Sequence, residues 1–313
     1  MFNWGGNDLN KIGRSSIFNP NDEDEQSSIS LEKISKSVLD SISLSNTSDG
    51  VLIKWVGNFN GDNYYFKTGT INGFGYFTNR QPYAEMMAYR IGKQLKFPNL
   101  VKTFLTEIRL PETDRYLSQV ATVSFTKDFN PNEQSSYSGV HYFITPDELK
   151  KNYNNLYNLI SSKFSFAKRD LDIMILFDFI VANVDRHLNN FGFIVDGDNL
   201  TLSPLFDNGL SLLSNISDDE LTKVSEFALK KLLKCKPFSS DPKKQVRLID
   251  LQQIPNDVVD AILKSKLDWD LVFEDLDLSE LRKSKIIELV EWRLDYVKDL
   301  LLKILWWCFG RSR

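Results

Sequence analysis

The sequence predicts an α+β chain of two lobes, a small β-rich one followed by a larger helical one. Two observations carry this. Between residues 51 and 125, short runs rich in Val, Ile, Tyr and Phe alternate with Gly-, Asn- and Pro-containing turns. Beyond about residue 125, apolar residues recur at helical spacing. A chain of 313 residues, 42% hydrophobic and 26% charged, can bury a sizeable core without metal or disulfide staples.

Residues 1–29 are polar, and NPNDEDEQSS has too little apolar surface to offset ordering, so a flexible tail is expected. SLEKISKSVLDSI (30–42) has helical periodicity with Ser30 as its N-cap. The N-lobe is expected over 30–125. VLIKWV (51–56) reads as a strand, NFNGD as a turn, and NYYFKTG (63–69) as the returning strand, carrying Lys67. INGFGYFTNRQP is a loop, and YAEMMAYRIGKQL (83–95) a helix with Glu85 in its first turn. VKTFLTEIRL and RYLSQVATVSF are two further strands, the second ending in a lobe connector at Thr122–Phe125.

The C-lobe is expected over 126–313. Helices are predicted over 147–164, 168–185, 218–233, 255–267 and 284–305, with a hairpin over 190–207 turning at DGDN. Cys235 and Cys308 form no metal-type or redox-type pair, which fits a reducing cytoplasm. Export by a dedicated secretion system is left open. A formal net charge of −4 argues against direct nucleic-acid binding as the main activity. The apolar run LLLKILWWCF (300–309) is shorter than the ~20 residues a bilayer span requires, so no membrane partner is expected.

The chemistry concentrates in Asn183-Val184-Asp185-Arg186-His187-Leu188-Asn189-Asn190 and in Pro204-Leu205-Phe206-Asp207-Asn208-Gly209, at the two ends of the predicted hairpin. Phosphoryl transfer needs one carboxylate to orient the acceptor hydroxyl and take its proton, two oxygen ligands for Mg²⁺, and a cation on the α- and β-phosphates. Asp185 supplies the first. Asn190 and Asp207 supply the hard oxygen ligands. Lys67, with Glu85 to hold its ammonium, supplies the last. Taken singly, each is a common loop, cap or strand residue. Their joint order on the right elements points to a kinase of the two-lobed protein-kinase-like fold, with ATP and Mg²⁺ as cofactors. Arg186 is expected either to neutralise phosphate charge or to pair with a nearby carboxylate. His187 reads as a structural histidine.

DFIVANVDRHLNNFGFIVD with LSPLFDNGLSL, and YYFKTG with PYAEMMAYRIGKQL, resemble the HipA-like kinases; the likeness extends from about residue 45 to about 240 and includes KPFSSDPKKQ (236–245). The resemblance implies a bacterial protein serine/threonine kinase, often a toxin controlled by a helix-turn-helix antitoxin partner. It also implies a nucleotide-binding phosphate loop at Ser45-Asn46-Thr47-Ser48-Asp49-Gly50, with Ser45, Thr47 and Ser48 as autophosphorylation candidates. Phosphate added there would repel the nucleotide's own phosphates. The larger members carry an additional N-terminal subdomain for which the segment ahead of residue 45 is too short, so the short, stand-alone type is expected. Asp185-Arg186-His187-Leu188-Asn189-Asn190 also resembles the DRHxxN pattern of phosphoinositide kinases, but Asp207-Asn208-Gly209 in its Pro-Leu-Phe-Asp context fits the HipA type better. The acceptor is therefore expected to be a protein Ser or Thr, with a lipid or small-molecule kinase and a non-catalytic pseudokinase as the competing readings.

Overall fold

The structure is a computed structural model. It describes residues 52–59, 62–110, 112, 117–130, 132, 134–225, 229 and 233–310, without the side chains of Phe59, Tyr153 and residues 304–310. The expected tail, the helix over 30–42 and the phosphate loop at 45–50 lie outside these residues. The chain forms two compact units. The first takes the described residues through Met86 together with Lys102–Asp128; the second takes Met87–Val101 and the chain from Phe129 onward.

The first unit is built on a four-stranded antiparallel sheet in the order β1-β2-β4-β3, from β1 (Lys54–Phe59), β2 (Asp62–Thr68), β3 (Thr103–Leu110) and β4 (Gln119–Lys127). Its register follows from an aromatic ladder. Trp55, Phe66, Phe125 and Phe104 are cross-strand partners in turn, stacked with ring centroids 5.4, 5.2 and 5.1 Å apart. Such pairs stabilise a sheet beyond their area burial, and slipping the register by one residue would turn the whole ladder to the other face. Because side chains alternate along a strand, burying Phe66 sends the adjacent Lys67 to the opposite face. Just past β2, a Cβ on Gly69 would fall 1.6 Å from the Thr78 carbonyl oxygen, so only glycine lets the two backbones pass this closely.

Helix α1 (Arg80–Gln94) starts one turn earlier than the sequence predicts, which moves Glu85 from its first turn into its second. Thr122–Phe125 is not a connector. These four residues lie inside β4, paired with β2 on one side and β3 on the other, because alternating Val123 and Phe125 supply the sheet's buried face.

In the second unit, α4 (Lys168–Ile180) is the central element. Every residue from Leu171 to Ile180 is buried, as a helix apolar on all sides must be. Two buried carboxylates interrupt it, Asp172 and Asp178. The helix segment expected over 147–164 is broken into α2 (Pro146–Lys151), a 3₁₀ turn at Tyr153–Asn155 and α3 (Leu156–Lys163). The expected hairpin is present as β6 (Gly192–Asp196) and β7 (Asn199–Leu202), joined by a third strand, β5 (Ser136–Gly139), that the sequence pattern missed. Of the helix expected over 218–233, α5 (Asp218–Leu221) forms behind a Ser217–Glu220 capping box and gives way to a turn at Thr222 and Lys223. Further helices among the described residues are α6 (Pro242–Val246), α7 (Asn256–Lys264), α8 (Trp269–Phe273) and α9 (Glu280–Gly310). Ile286, Leu289, Val290, Leu294, Val297 and Leu301 make the buried stripe of α9. Among the described residues no helix is long and apolar enough to cross a membrane.

Candidate active site

The C-terminal end of α4 sets the site. Ala182 has φ +55, its N–H bonds to the Phe179 carbonyl, and the Asn183 N–H bonds to the Asp178 carbonyl. This is the paired closure of a Schellman motif, in a position glycine usually takes. It stops the helix and turns the chain into the 183–190 loop. Asn183 then bonds in two directions, through Nδ2 to Asp178 (3.2 Å) and through Oδ1 to the Asp185 N–H (2.9 Å). The Asn190 amide closes the loop by donating Nδ2 to the Asp185 carbonyl at 3.1 Å.

Arg186 is the hub of this unit's site, only 1% exposed. Its guanidinium makes a two-pronged contact with Asp178, 2.9 Å on each arm, and donates to the Asn208 side-chain oxygen at 2.8 Å. It also donates to the backbone carbonyls of Asn190 and Phe206. One planar donor fork therefore ties together α4, the Asp185–Asn190 loop and the segment entering Asp207. Of the two expectations for Arg186, pairing with a carboxylate is the one the geometry realises. Fully satisfied by protein acceptors, the buried charge meets the condition that buried ions be paired and hydrogen-bonded.

Asp207 follows at φ +58, a left-handed conformation that costs a non-glycine residue roughly 1 kcal/mol or more and that Asp tolerates better than most. Beyond it, the Ser211 and Ser214 hydroxyls bond back to the carbonyls of Asn208 and Gly209, and the Val184 N–H bonds to the Leu210 carbonyl. Tyr137, on β5, packs edge-on against Phe206 and donates to the Asn189 carbonyl at 2.8 Å; burial pushes its phenol well above its usual range.

The donor set suits Mg²⁺. Asn190 has committed its amide nitrogen to the Asp185 carbonyl, which leaves its Oδ1 for a cation, and Asp207 adds a carboxylate on the adjoining segment. Among the described residues no group of three or more His, Cys, Asp or Glu could hold a metal.

In the first unit, Lys67 Nζ lies 3.2 Å from Glu85 Oε1, with the carboxylate side chain 6% exposed and the lysine 19%. The structure thus brings Lys67 to Glu85, and gathers Asp185, Asn190 and Asp207 around Arg186. Sequence reasoning missed Asp178, Asn208, Tyr137 and Lys236, whose Nζ lies 2.7 Å from Asp185 Oδ1. His187 is half-exposed, with Nε2 3.9 Å from Asp185 Oδ2.

Comparison with known proteins bears on the fold. No family model matches the chain, and no curated protein does. Among solved structures, a proinflammatory kinase of Helicobacter pylori, CtkA, is similar, with a TM-score of 0.56 at 19% identity over 80% of this chain and 94% of that one. HipA of Shewanella oneidensis MR-1, solved with HipB and operator DNA, gives a TM-score of 0.38 at 15% identity, covering 87% and 73%. Hydra Fam20 gives 0.49 at 13% identity, covering 89% and 90%. The likeness to CtkA shows the fold: this chain is α+β and kinase-like.

Proposed function

We propose that this chain is an ATP- and Mg²⁺-dependent protein serine/threonine kinase of HipA-like type. The observation that carries the reading is the buried guanidinium of Arg186, which fixes the Asp185–Asn190 loop and the Asp207 segment to one another. Phosphoryl transfer is mostly positioning and charge stabilisation, and two carboxylates and an amide oxygen on rigidly joined loops are the parts it requires.

In this reading Asp185 orients a Ser or Thr hydroxyl and accepts its proton as the acceptor oxygen bonds to the γ-phosphorus. The bond from that phosphorus to the β-phosphate oxygen breaks, and its electron pair leaves with ADP. Asn190 and Asp207 would hold Mg²⁺, which when bound would supply neutralisation of the nucleotide's phosphate charge. Lys67, steadied by Glu85, binds the α- and β-phosphates. Ser45, Thr47 and Ser48 are the proposed sites of self-modification.

The test is incubation of wild type and the Asp207→Ala variant with γ-labelled ATP and Mg²⁺, followed by mapping of any labelled residue. Wild type is expected to transfer label to serine or threonine, and the variant to lose transfer by about 10³-fold or more. Equal turnover in the two proteins would sink the assignment. Label on lipid or a small molecule, with none on protein, would replace the acceptor class.

A further inference from the structure

Lys236 lies outside the catalytic motifs, yet its ammonium sits on the Asp185 carboxylate at 2.7 Å. The loop that presents it is built from within. Gln245, on α6 and 3% exposed, donates Nε2 to the Lys236 carbonyl at 3.0 Å and accepts at Oε1 from the Phe238 and Ser239 N–H groups at 3.0 and 3.1 Å. Cys235 Sγ contacts the Ser239 carbonyl at 2.9 Å. Phe238 packs edge-on against Tyr157 and against Phe191, the residue after Asn190. Asp241 closes the loop by capping α6 through the Lys243 and Lys244 N–H groups.

The pair itself stabilises little. The Lys236 side chain is 55% exposed and that of Asp185 28%, and an ion pair so open to water gains little after the lysine's rotamer entropy is lost. A buried glutamine spanning a loop with three hydrogen bonds is an elaborate support for a contact that does so little for the fold. The support makes sense if the ammonium has a task at the carboxylate.

Resting on the kinase reading above, we propose that Lys236 is a positioning residue of the transfer centre: it holds Asp185 Oδ1 and so presents Oδ2 to the acceptor hydroxyl. Oδ2 has room for that role, since His187 Nε2 at 3.9 Å is beyond hydrogen-bond distance. The proton that moves is the acceptor's, onto Asp185. A partly exposed carboxylate would otherwise rotate among rotamers, and misalignment of a proton acceptor lowers the rate without weakening nucleotide binding.

The experiment compares wild type, Lys236→Met and Asp185→Asn, using γ-labelled ATP with Mg²⁺ and counting label released as inorganic phosphate together with label on the chain. Lys236→Met is expected to lower kcat about 10²-fold while KM for ATP stays within about threefold. Its thermal midpoint should match wild type, because the pair is exposed. A kcat within about twofold of wild type would make the contact ornamental. A raised KM with unchanged kcat would make Lys236 a nucleotide ligand instead and also overturn the proposal. Activity in wild type that Asp185→Asn abolishes, together with either of those results, removes Lys236 alone. No activity in wild type removes the kinase reading and this inference with it.

Discussion

The Arg186 hub and the Lys67–Glu85 pair both set a cation against a carboxylate, and they are built in opposite ways. Arg186 is buried, forked, and bonded to two side chains and two carbonyls of three different segments. Lys67 meets Glu85 through an ammonium 3.2 Å from one oxygen, on a flexible stem that is still partly in water. The first arrangement fixes loops against one another. The second sets a compact ammonium on a long stem beside a carboxylate, as suits the phosphate-binding role proposed for Lys67. The difference separates what the fold needs from what the chemistry needs, and each variant below tests it.

The largest effect should come from Arg186→Met. It strands Asp178 as an uncompensated buried charge, so a loss of about 3–5 kcal/mol in urea unfolding is expected. A loss below about 1 kcal/mol would mean that Asp178 finds other partners and that the hub is no hub. The same logic covers Asp172, which is fully buried under the Tyr157 hydroxyl at 2.5 Å, Lys168 at 2.9 Å and the Asp250 N–H at 3.2 Å. Tyr157→Phe removes one of three partners, and about 2 kcal/mol is the expected cost by denaturant titration.

Glu85→Gln should behave differently. Because glutamine keeps an acceptor for the Lys67 ammonium and removes a buried charge, we expect kcat/KM for ATP to fall about tenfold, with an unfolding loss below about 2 kcal/mol. A stability loss as large as that of Arg186→Met would erase the contrast between the two regions.

The smallest effect belongs to Glu148. Its hydrogen bond from Lys163, with bonds from the Thr145 N–H and hydroxyl, pulls its carboxyl from 4.5 down to about 2. A carboxyl lowered on folding contributes stability that is present above its unfolded value and lost as pH falls through the folded one. In Glu148→Gln the acid-unfolding curve should therefore lie below wild type above pH 4.5 and merge with it near pH 2. Curves that stay parallel to the lowest pH would contradict this.

Much of the site was legible because its signals are local. Asp185 and Asn190 sit five positions apart on one loop, Asp207 lies just beyond the hairpin that follows, and Lys67 and Glu85 fall on a strand and the next helix. The aromatic ladder was equally readable as strands. What escaped was non-local. Lys236 reaches Asp185 across 51 positions, and only the fold joins them. Asp178 hid inside an apolar helix, where no periodicity marks a polar residue whose partner is eight positions on. Strand β5 is four residues long, too short for alternation to announce it. Thr122–Phe125 misled because a central strand that is buried on most of its length looks like any short apolar run.

The two backbone bonds of the Arg186 hub have an evolutionary consequence. Its guanidinium grips the carbonyls of Asn190 and Phe206, which every amino acid possesses, so exchanging either side chain leaves those bonds intact. Asp185 is held likewise through its own N–H and carbonyl. Descendants of such a chain can exchange the side chain at 185 and keep the bonds that hold the loop, whereas exchange at 190 gives up the Asn190 bond to the Asp185 carbonyl. The scaffold is thus indifferent to the side chain at 185, and on the kinase reading a non-catalytic descendant lies a single substitution away.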